Sequence, residues 1–345
     1  MITCGAAQDD ARGQGQGRER GRGILATGSY VPSRVMTNKD ISELAGTSEL
    51  AILRKTAIRE RRWAKPEEAT SDLAVAAGRA ALERAGIGAA ELGLIIVATS
   101  TPDSPQPATA CVVADELGAG HGTAAFDVNS VCSGFTFALS IAERTLADST
   151  ADYALVIGAD VYSRILSPMD RRTIVLFGDG AGAVVLGPGG GQRLVSARLA
   201  SFASARELIG VPGGGSRMPA TQETLREGMQ YFSMNGRGVS EFVETQVVPG
   251  IQEFLKDNGV SQDDIAHFVP HQANGRLLES MAERLGIPAE RMATTVTRYG
   301  NTGAASVPIT LDQLARSGAV APGDLTLLAA FGGGMSMGLT LLRAG

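Results

Sequence analysis

Cysteine and histidine are scarce in this chain, with three of each among 345 residues. Cys4, Cys111 and Cys132 form no CxxC pair, and His121, His267 and His271 show no ligand spacing with them. The pattern argues against zinc and fits a reducing cytoplasm. No apolar run approaches the length of a membrane span. Residues 1–22 contain no apolar segment of the kind a signal peptide requires. There is no long basic run, and the net charge is -5, which excludes the usual footprint of a nucleic-acid or anionic-membrane binder. What the chain has in quantity is glycine, at 44 residues, with 44% hydrophobic and 19% charged residues. That composition describes a tightly packed soluble protein with close backbone approaches. The length exceeds one simple core, so two core-forming halves are expected.

Residues 1–22 are rich in Gly, Arg and Gln and hold hardly any large apolar side chain from Gln8 to Gly21. Such a segment buries too little surface to fold, and a disordered tail is expected there. Order is expected to begin near Ile24. Helices are expected at Asn38 to Ala45, at Ser71 to Ala85 with Ser71 as N-cap and Gly86 as stop, and at Ala108 to Leu117. The run Leu92 to Thr99 is apolar on both faces, as a buried parallel strand is, and Tyr153 to Gly158 reads the same way. Strands alternating with helices predict an α/β protein with mostly parallel sheets covered by helices.

An internal repeat sharpens this. Gly86-Ile87, Glu91-Leu92 and Ile95-Ile96 are echoed by Gly259-Val260, Asp264-Ile265 and Phe268-Val269, a shift of 173 residues. Ala154 to Gly158 is echoed by Thr326 to Ala330 at a shift of 172, and Phe177-Gly-Asp-Gly180 by Phe331-Gly-Gly-Gly334. The fold is read as a duplicated α/β unit: tail 1–22, one half at 23–192 and a second at 193–345.

Chemistry points to one stretch. Ala124 to Val128 reads as a strand that runs into Asn129-Ser130-Val131-Cys132-Ser133, after which Phe135, Leu139, Ala142 and Leu146 recur at helical spacing. Cys132 thus falls at a helix N-terminus, where free N–H groups and the dipole favour a thiolate. A small buried residue at a tight junction fits the same position. The 172-residue shift takes Cys132 to Ala304, just after Tyr299-Gly-Asn-Thr-Gly303, and takes Thr99 to a position beside His271. Cys132, His271 and Asn301 are therefore expected at the carboxyl ends of strands facing a common interface between the halves. His271 as a helix cap and Asn301 as a turn residue are the structural alternatives.

These residues sit in motifs that resemble the β-ketoacyl-acyl-carrier-protein synthases of type III, in the thiolase superfamily, from Gly23 to the end. The motifs are Thr56-x-Ile-Arg-Glu-Arg61, Ala125-Phe-Asp-Val128 leading into Cys132-Ser-Gly-Phe135, Phe177-Gly-Asp-Gly-Ala-Gly182, Val269-Pro-His-Gln-Ala-Asn274, Gly300-Asn-Thr-Gly-Ala-Ala-Ser-Val-Pro308 and Phe331-Gly-Gly-Gly334. The resemblance implies a five-layered αβαβα thiolase-like fold and a homodimer. It implies that Cys132 takes an acyl group from a thioester, with the N–H groups of Cys132 and Gly334 as oxyanion hole. His271 and Asn301 would then stabilise the enolate formed when malonyl-acyl carrier protein loses carbon dioxide. The enolate would attack the acyl-Cys132 to give a β-ketoacyl thioester, with no metal or redox cofactor.

Departures from the family pattern bear on the substrate. A tryptophan and an arginine that hold the CoA adenine in housekeeping members are Ala51 and Lys55 here, and around Met234 to Gly238 the usual asparagine, phenylalanine and lysine become Arg237, Ser240 and Glu241. Arg171, Asn274 and Arg276 are kept as expected contacts for a phosphopantetheine or carrier phosphate, with Phe331 also assigned to substrate binding. A phenylalanine that reaches the partner's acyl pocket is Gln106 here. The reading is a specialised ketosynthase in polyketide or fatty acid starter-unit biosynthesis, using acyl-CoA or an acyl carrier thioester. Transfer of the acyl group to an alcohol or amine is the alternative, disfavoured by the intact Asn301. A non-catalytic acyl-carrier-binding subunit is disfavoured by the complete Cys-His-Asn set.

Overall fold

In a computed structural model, the described residues are 2–4 and 22–345. Fourteen strands are described: β1 (Ile2–Cys4), β2 (Arg22–Tyr30), β3 (Arg34–Thr37), β4 (Glu60–Trp63), β5 (Leu92–Ala98), β6 (Ala124–Val128), β7 (Tyr153–Asp160), β8 (Gly180–Pro188), β9 (Gln192–Ser201), β10 (Ile209–Gly210), β11 (Ser233–Met234), β12 (Ile265–Pro270), β13 (Leu325–Gly332) and β14 (Ser336–Ala344). Ten of them form the order β12-β13-β14-β9-β2-β8-β7-β5-β6, with β1 on the side of β9. The order β2-β8-β7-β5 reappears as β9-β14-β13-β12, and the two series meet where Gly23 and Ile24 pair with Arg193 and Gln192. The fold is the duplicated, thiolase-like α/β arrangement.

The sheets are more mixed than the sequence pattern suggests. Only β12–β13, β5–β6 and β5–β7 run parallel, while the central pairs are antiparallel. For β13–β14 the reason is local: β13 returns into β14 through the tight turn after Gly332, and a strand that returns without a crossover must run antiparallel.

The middle layer is built by two helices, Gly134–Ala147 and Ser306–Ser317. Phe135, Leu139, Ala142 and Leu146 of the first and Val307 and Leu311 of the second share one core with Ile96, Val156 and Val184 of one half and Leu328 and Ala330 of the other. Helices Thr70–Ala85 and Thr109–Leu117 cover the outer face of the first half. Val248–Asp257 and Gly275–Leu285 cover that of the second. Among the described residues no helix is long and apolar enough to cross a membrane.

The first-half helices lie where the pattern places them, with one corrected cap. Helix Thr70–Ala85 starts after Ala69, whose N–H is held by the Asp72 carboxylate at 2.7 Å; Ser71 sits inside the first turn and gives its N–H to Asp103. Gly86 does close the helix, at φ 67°. The expected tail at 1–22 falls mostly outside the described residues. Ile2–Cys4 differs from that expectation by pairing with Ala197–Leu199 of β9, and Arg22 opens β2.

Candidate active site

Cys132 is presented by a strained turn. After β6 the chain makes a 3-10 turn over Val131–Ser133 and enters the helix Gly134–Ala147. Val131 has φ 47°, a left-handed backbone that costs a β-branched residue on the order of 1–2 kcal/mol. The turn is held by several contacts. Asn129 Oδ1 accepts the Val131 N–H, Ser130 O accepts the Ser133 N–H, and the Ser133 and Ser336 hydroxyls meet at 2.6 Å, tying the turn to β14. Cys132 is thereby turned inward, 6% exposed. Gly332 lies against it so closely that a Cβ there would come within 2.8 Å of the Cys132 Cβ and 2.9 Å of its N.

The electrostatics at the sulfur reverse the expectation of a resting thiolate. Burial first, and the Asp160 carboxylate second, push the Cys132 thiol up to about 12, against the opposing help of the Tyr162 hydroxyl. One helix N-terminus does not offset complete desolvation. Cys132 rests as a thiol.

His271 and Asn301 reach the same space from the second half. His271 follows β12, gives its N–H to Ala329 O at 2.8 Å, and stands edge-on to Phe331 with ring centroids 5.3 Å apart. Its Nδ1 meets Ser306 Oγ at 2.7 Å. Ser306 Oγ also accepts the Gln272 N–H, so its own hydrogen is free to point at Nδ1; assigned from that network, the imidazole proton sits on Nε2. Burial pushes the His271 pKa down to about 3, so the ring is neutral at ordinary pH. Asn301 Oδ1 accepts the Gly303 N–H at 2.9 Å, which leaves Nδ2 as its outward donor. The Asn301 backbone is pinned between the Leu176 carbonyl and the Gly178 N–H.

Cys132, His271, Asn301 and Phe331 line one cavity of about 120 Å³, walled by Phe177, Phe232, Ile209 and Val239. Tyr162 stacks on Phe177 with ring centroids 4.5 Å apart, and Phe232 meets both edge-on, at 5.5 Å from Tyr162 and 4.9 Å from Phe177. A mouth cavity of about 970 Å³ adjoins it, and the two share Leu176, Met234, Gly236 and Asn274. The mouth carries Lys55, Arg171, Arg172 and Arg237 against Glu207, a surface that favours phosphates. Ala51 and Lys55 line it where the family pattern has its adenine clamp, and Ser240 lines the inner cavity.

Other expected site residues are placed differently. Gly334 is exposed, and the nearest neighbour a Cβ would meet there is Ser336. The turn residues at the nucleophile are Gly332, against Cys132, and Gly333, against Val131, because the turn enters the site at its first glycines. Arg276 is engaged by Arg54 O and Glu279 and lines neither cavity. Gln106 lies on an exposed loop and lines neither cavity of its own chain. Ser306, Val131, Tyr162 and Gly332 were not singled out as site residues by sequence. Ser306 and Gly332 stand inside the quoted Gly300 to Pro308 and Phe331 to Gly334 motifs and Val131 inside the quoted Asn129 to Ser133 stretch, so of the four only Tyr162 carried no signal. Among the described residues no group of three or more His, Cys, Asp or Glu side chains could hold a metal ion.

Comparison with known proteins gives the family. Residues 126–202 match the family described as 3-oxoacyl-acyl-carrier-protein synthase III, and residues 255–344 match its C-terminal region. An acetoacetyl CoA synthase of Streptomyces sp. (strain CL190) is 54% identical over 323 residues, 93% of this chain and 98% of that protein. A β-ketoacyl-acyl-carrier-protein synthase III of Roseiflexus sp. (strain RS-1) is 45% identical over 92% of this chain and 96% of that protein. Two solved structures superpose with similar closeness. The 3-oxoacyl-acyl-carrier-protein synthase III of Aquifex aeolicus VF5 has TM-score 0.85 and 38% identity, covering 94% of this chain and 100% of that one. The priming β-ketosynthase of the R1128 polyketide pathway has TM-score 0.86 and 32% identity, covering 96% and 99%. The chain belongs to the 3-oxoacyl-acyl-carrier-protein synthase III family of condensing acyltransferases.

Proposed function

We propose that the chain takes a short acyl group from a CoA thioester onto Cys132. It then joins that group to a malonyl thioester by decarboxylative Claisen condensation, releasing a β-ketoacyl thioester. The observation that carries this reading is one cavity lined together by a thiol, a neutral imidazole with its proton assigned to Nε2 and an amide with Nδ2 outward. Two neutral donors beside a sulfur suit an oxygen that gains negative charge as carbon dioxide leaves. A charged histidine would instead be consumed as an acid.

In the first step the Cys132 sulfur attacks the donor carbonyl, and the oxyanion is met by the Cys132 N–H and the backbone of the glycine turn at Gly332 and Gly333. The acyl group lies toward Phe177, Phe232 and Ile209. An inner space of about 120 Å³ backed by three packed rings suits acetyl or a slightly longer group and rejects a fatty chain. In the second step the malonyl arm enters past Asn274 and Leu176. Its enolate oxygen receives hydrogen bonds from His271 and Asn301, and its carbanion attacks the acyl carbonyl. Decarboxylation supplies the carbanion, so no metal or redox cofactor is required. Arg171 and its neighbours at the mouth take the phosphates of the arm.

The acceptor is malonyl-acyl carrier protein, in a homodimer working in the cytoplasm on starter units for polyketide or fatty acid biosynthesis. A second acceptor, malonyl-CoA, is favoured by one observation: the relative named for acetoacetyl CoA is 54% identical, and the carrier-protein relatives reported above reach 45%. The test is to offer acetyl-CoA with malonyl-CoA or with malonyl carrier protein and identify the product by mass. A β-ketoacyl product on either acceptor, absent with Cys132→Ala, supports condensation. Acyl-Cys132 that only an alcohol or amine discharges would overturn it.

A further inference from the structure

Gln272 lines neither cavity, yet its side chain bridges the two chain segments that carry the enolate donors, and it is fully buried. It follows His271 in the turn after β12. Its backbone N–H goes to Ser306 Oγ at 3.3 Å, the same oxygen that meets His271 Nδ1. Its amide then uses every hydrogen-bonding position it has. Nε2 donates to Pro270 O at 2.8 Å and to Ala293 O at 3.3 Å, and Oε1 accepts the N–H groups of Thr295 at 2.8 Å and Val296 at 3.0 Å. The partners fix which way the amide points, because carbonyls only accept and backbone N–H groups only donate.

The bonds on Oε1 hold the start of the short helix Val296–Tyr299. That helix stops at Gly300, whose N–H returns to Val296 O at 2.9 Å, and Asn301 is the next residue. A second tie joins the same segment to Ser306: Thr295 Oγ1 meets Thr310 Oγ1 at 2.8 Å, and Thr310 Oγ1 donates to Ser306 O at 2.7 Å. The turn that carries His271, the serine that orients its ring and the approach to Asn301 are thus joined through one amide. All these partners belong to the second half; none lies in the Val131–Ser133 turn or at Gly332 and Gly333.

We infer that Gln272 is a positioning residue for decarboxylation: its amide sets the spacing between His271 and the helix leading to Asn301, so that the two donors reach one enolate oxygen. This rests on the condensing reading. Glutamine suits the place because length and valence must both be right. Ionised glutamate has the length and offers no donor to Pro270 and Ala293, asparagine has the amide one methylene short, and methionine has the length and makes none of the four bonds. Four backbone groups that lose a buried partner must find others, and the 293–296 segment moves to do so. A shift of about 1 Å in a positioning group costs about a hundredfold in rate.

The test compares Gln272→Met and Gln272→Asn with wild type in two measurements: acetyl loading on Cys132 from acetyl-CoA, read by mass, and carbon dioxide release from malonyl-CoA by the acetylated enzyme. Both variants are expected to lower carbon dioxide release about thirty- to a hundredfold at saturation, with KM for malonyl-CoA within twofold and acetyl loading within threefold of wild type. The loss should also depend on the donors being aligned: added to Asn301→Ala, Gln272→Met should cost about threefold or less. If Gln272→Met does not fold, Gln272→Asn decides. Carbon dioxide release at the wild-type rate overturns the inference. So does an equal fall in loading and release, which marks general support of the fold, and so does full additivity with Asn301→Ala. If wild type takes the acetyl group yet releases no carbon dioxide, the condensing reading itself falls, an outcome no result with the variants can imitate.

Discussion

Replacing Ser306 by alanine tests how the site fixes the histidine proton. Ser306 is fully buried, and its Oγ lies 2.7 Å from His271 Nδ1 while accepting the Gln272 N–H. The substitution leaves a buried acceptor nitrogen unpaired, at about 1–3 kcal/mol. The two neutral tautomers of imidazole are close in energy, so that loss is enough to move the proton to Nδ1 and turn a lone pair toward the enolate oxygen. If the loss appears in the decarboxylation transition state, the rate falls roughly ten- to hundredfold. Acyl loading on Cys132 should stay within twofold, because Ser306 touches neither the sulfur nor the glycine turn. The assay is paired single turnovers, with acyl-Cys132 read by mass and carbon dioxide release from malonyl thioester read separately. Ser306→Thr keeps the hydroxyl and should restore most of the rate. Wild-type carbon dioxide release in Ser306→Ala, or an equal fall in loading, would refute the tautomer argument.

Asn301→Asp removes the Nδ2 donor and should cut malonyl decarboxylation by about 10²–10³ while Cys132 still loads, as quenched mass measurements would show. Phe232→Val opens the wall behind the thiol; acyl groups of four to six carbons should load at least tenfold faster than in wild type, at a cost of about 2–3 kcal/mol read by denaturant melting. Arg171→Glu should raise KM for acyl-CoA severalfold and leave kcat, and loading from a short thioester without phosphates, unchanged. Stability should depend on pH through His271: with the folded value at about 3 and the ordinary one near 6.5, the unfolded chain holds the extra proton between them. Stability therefore falls below pH 6.5 by about 1.4 kcal/mol per unit. Asp179, raised to about 6 by burial, works the other way between pH 6 and its ordinary range, because the folded state binds its proton first. The His271 contribution is isolated by subtracting His271→Gln; the difference should reach about 2 kcal/mol at pH 5, and a flat difference from pH 7 to 5 would contradict it.

What the sequence made legible follows from which interactions repeat along the chain. The 172-residue shift brought Asn301 and His271 to Cys132 because a duplicated fold places equivalent strand ends at one interface. Pattern alone overstated parallel pairing, since the antiparallel β13–β14 and β7–β8 pairs are as apolar as the parallel β5–β7 pair; a short connection marks β13–β14, whereas residues 161–179 separate β7 from β8 and nothing local marks their direction. The resting state of the thiol was misjudged for a related reason. A helix N-terminus is a local feature, whereas the burial of Cys132 and the Asp160 carboxylate that outweigh it come from packing.

The polar half of the site is non-local throughout. Asp160 reaches back to Ser100 and forward to the Ala304 N–H, 144 residues away, so one carboxylate ties the strand end beside Cys132 to the helix that follows Asn301. At Gly303 a Cβ would come within 2.2 Å of the same carboxylate, which explains a glycine where turn propensity alone allows several residues. A buried anion satisfied by neutral donors from both halves makes the spacing of nucleophile and enolate site a property of their interface. Substitutions at that interface should accordingly separate loading from condensation, whereas changes on either outer helical layer should alter stability and leave the ratio of the two rates alone.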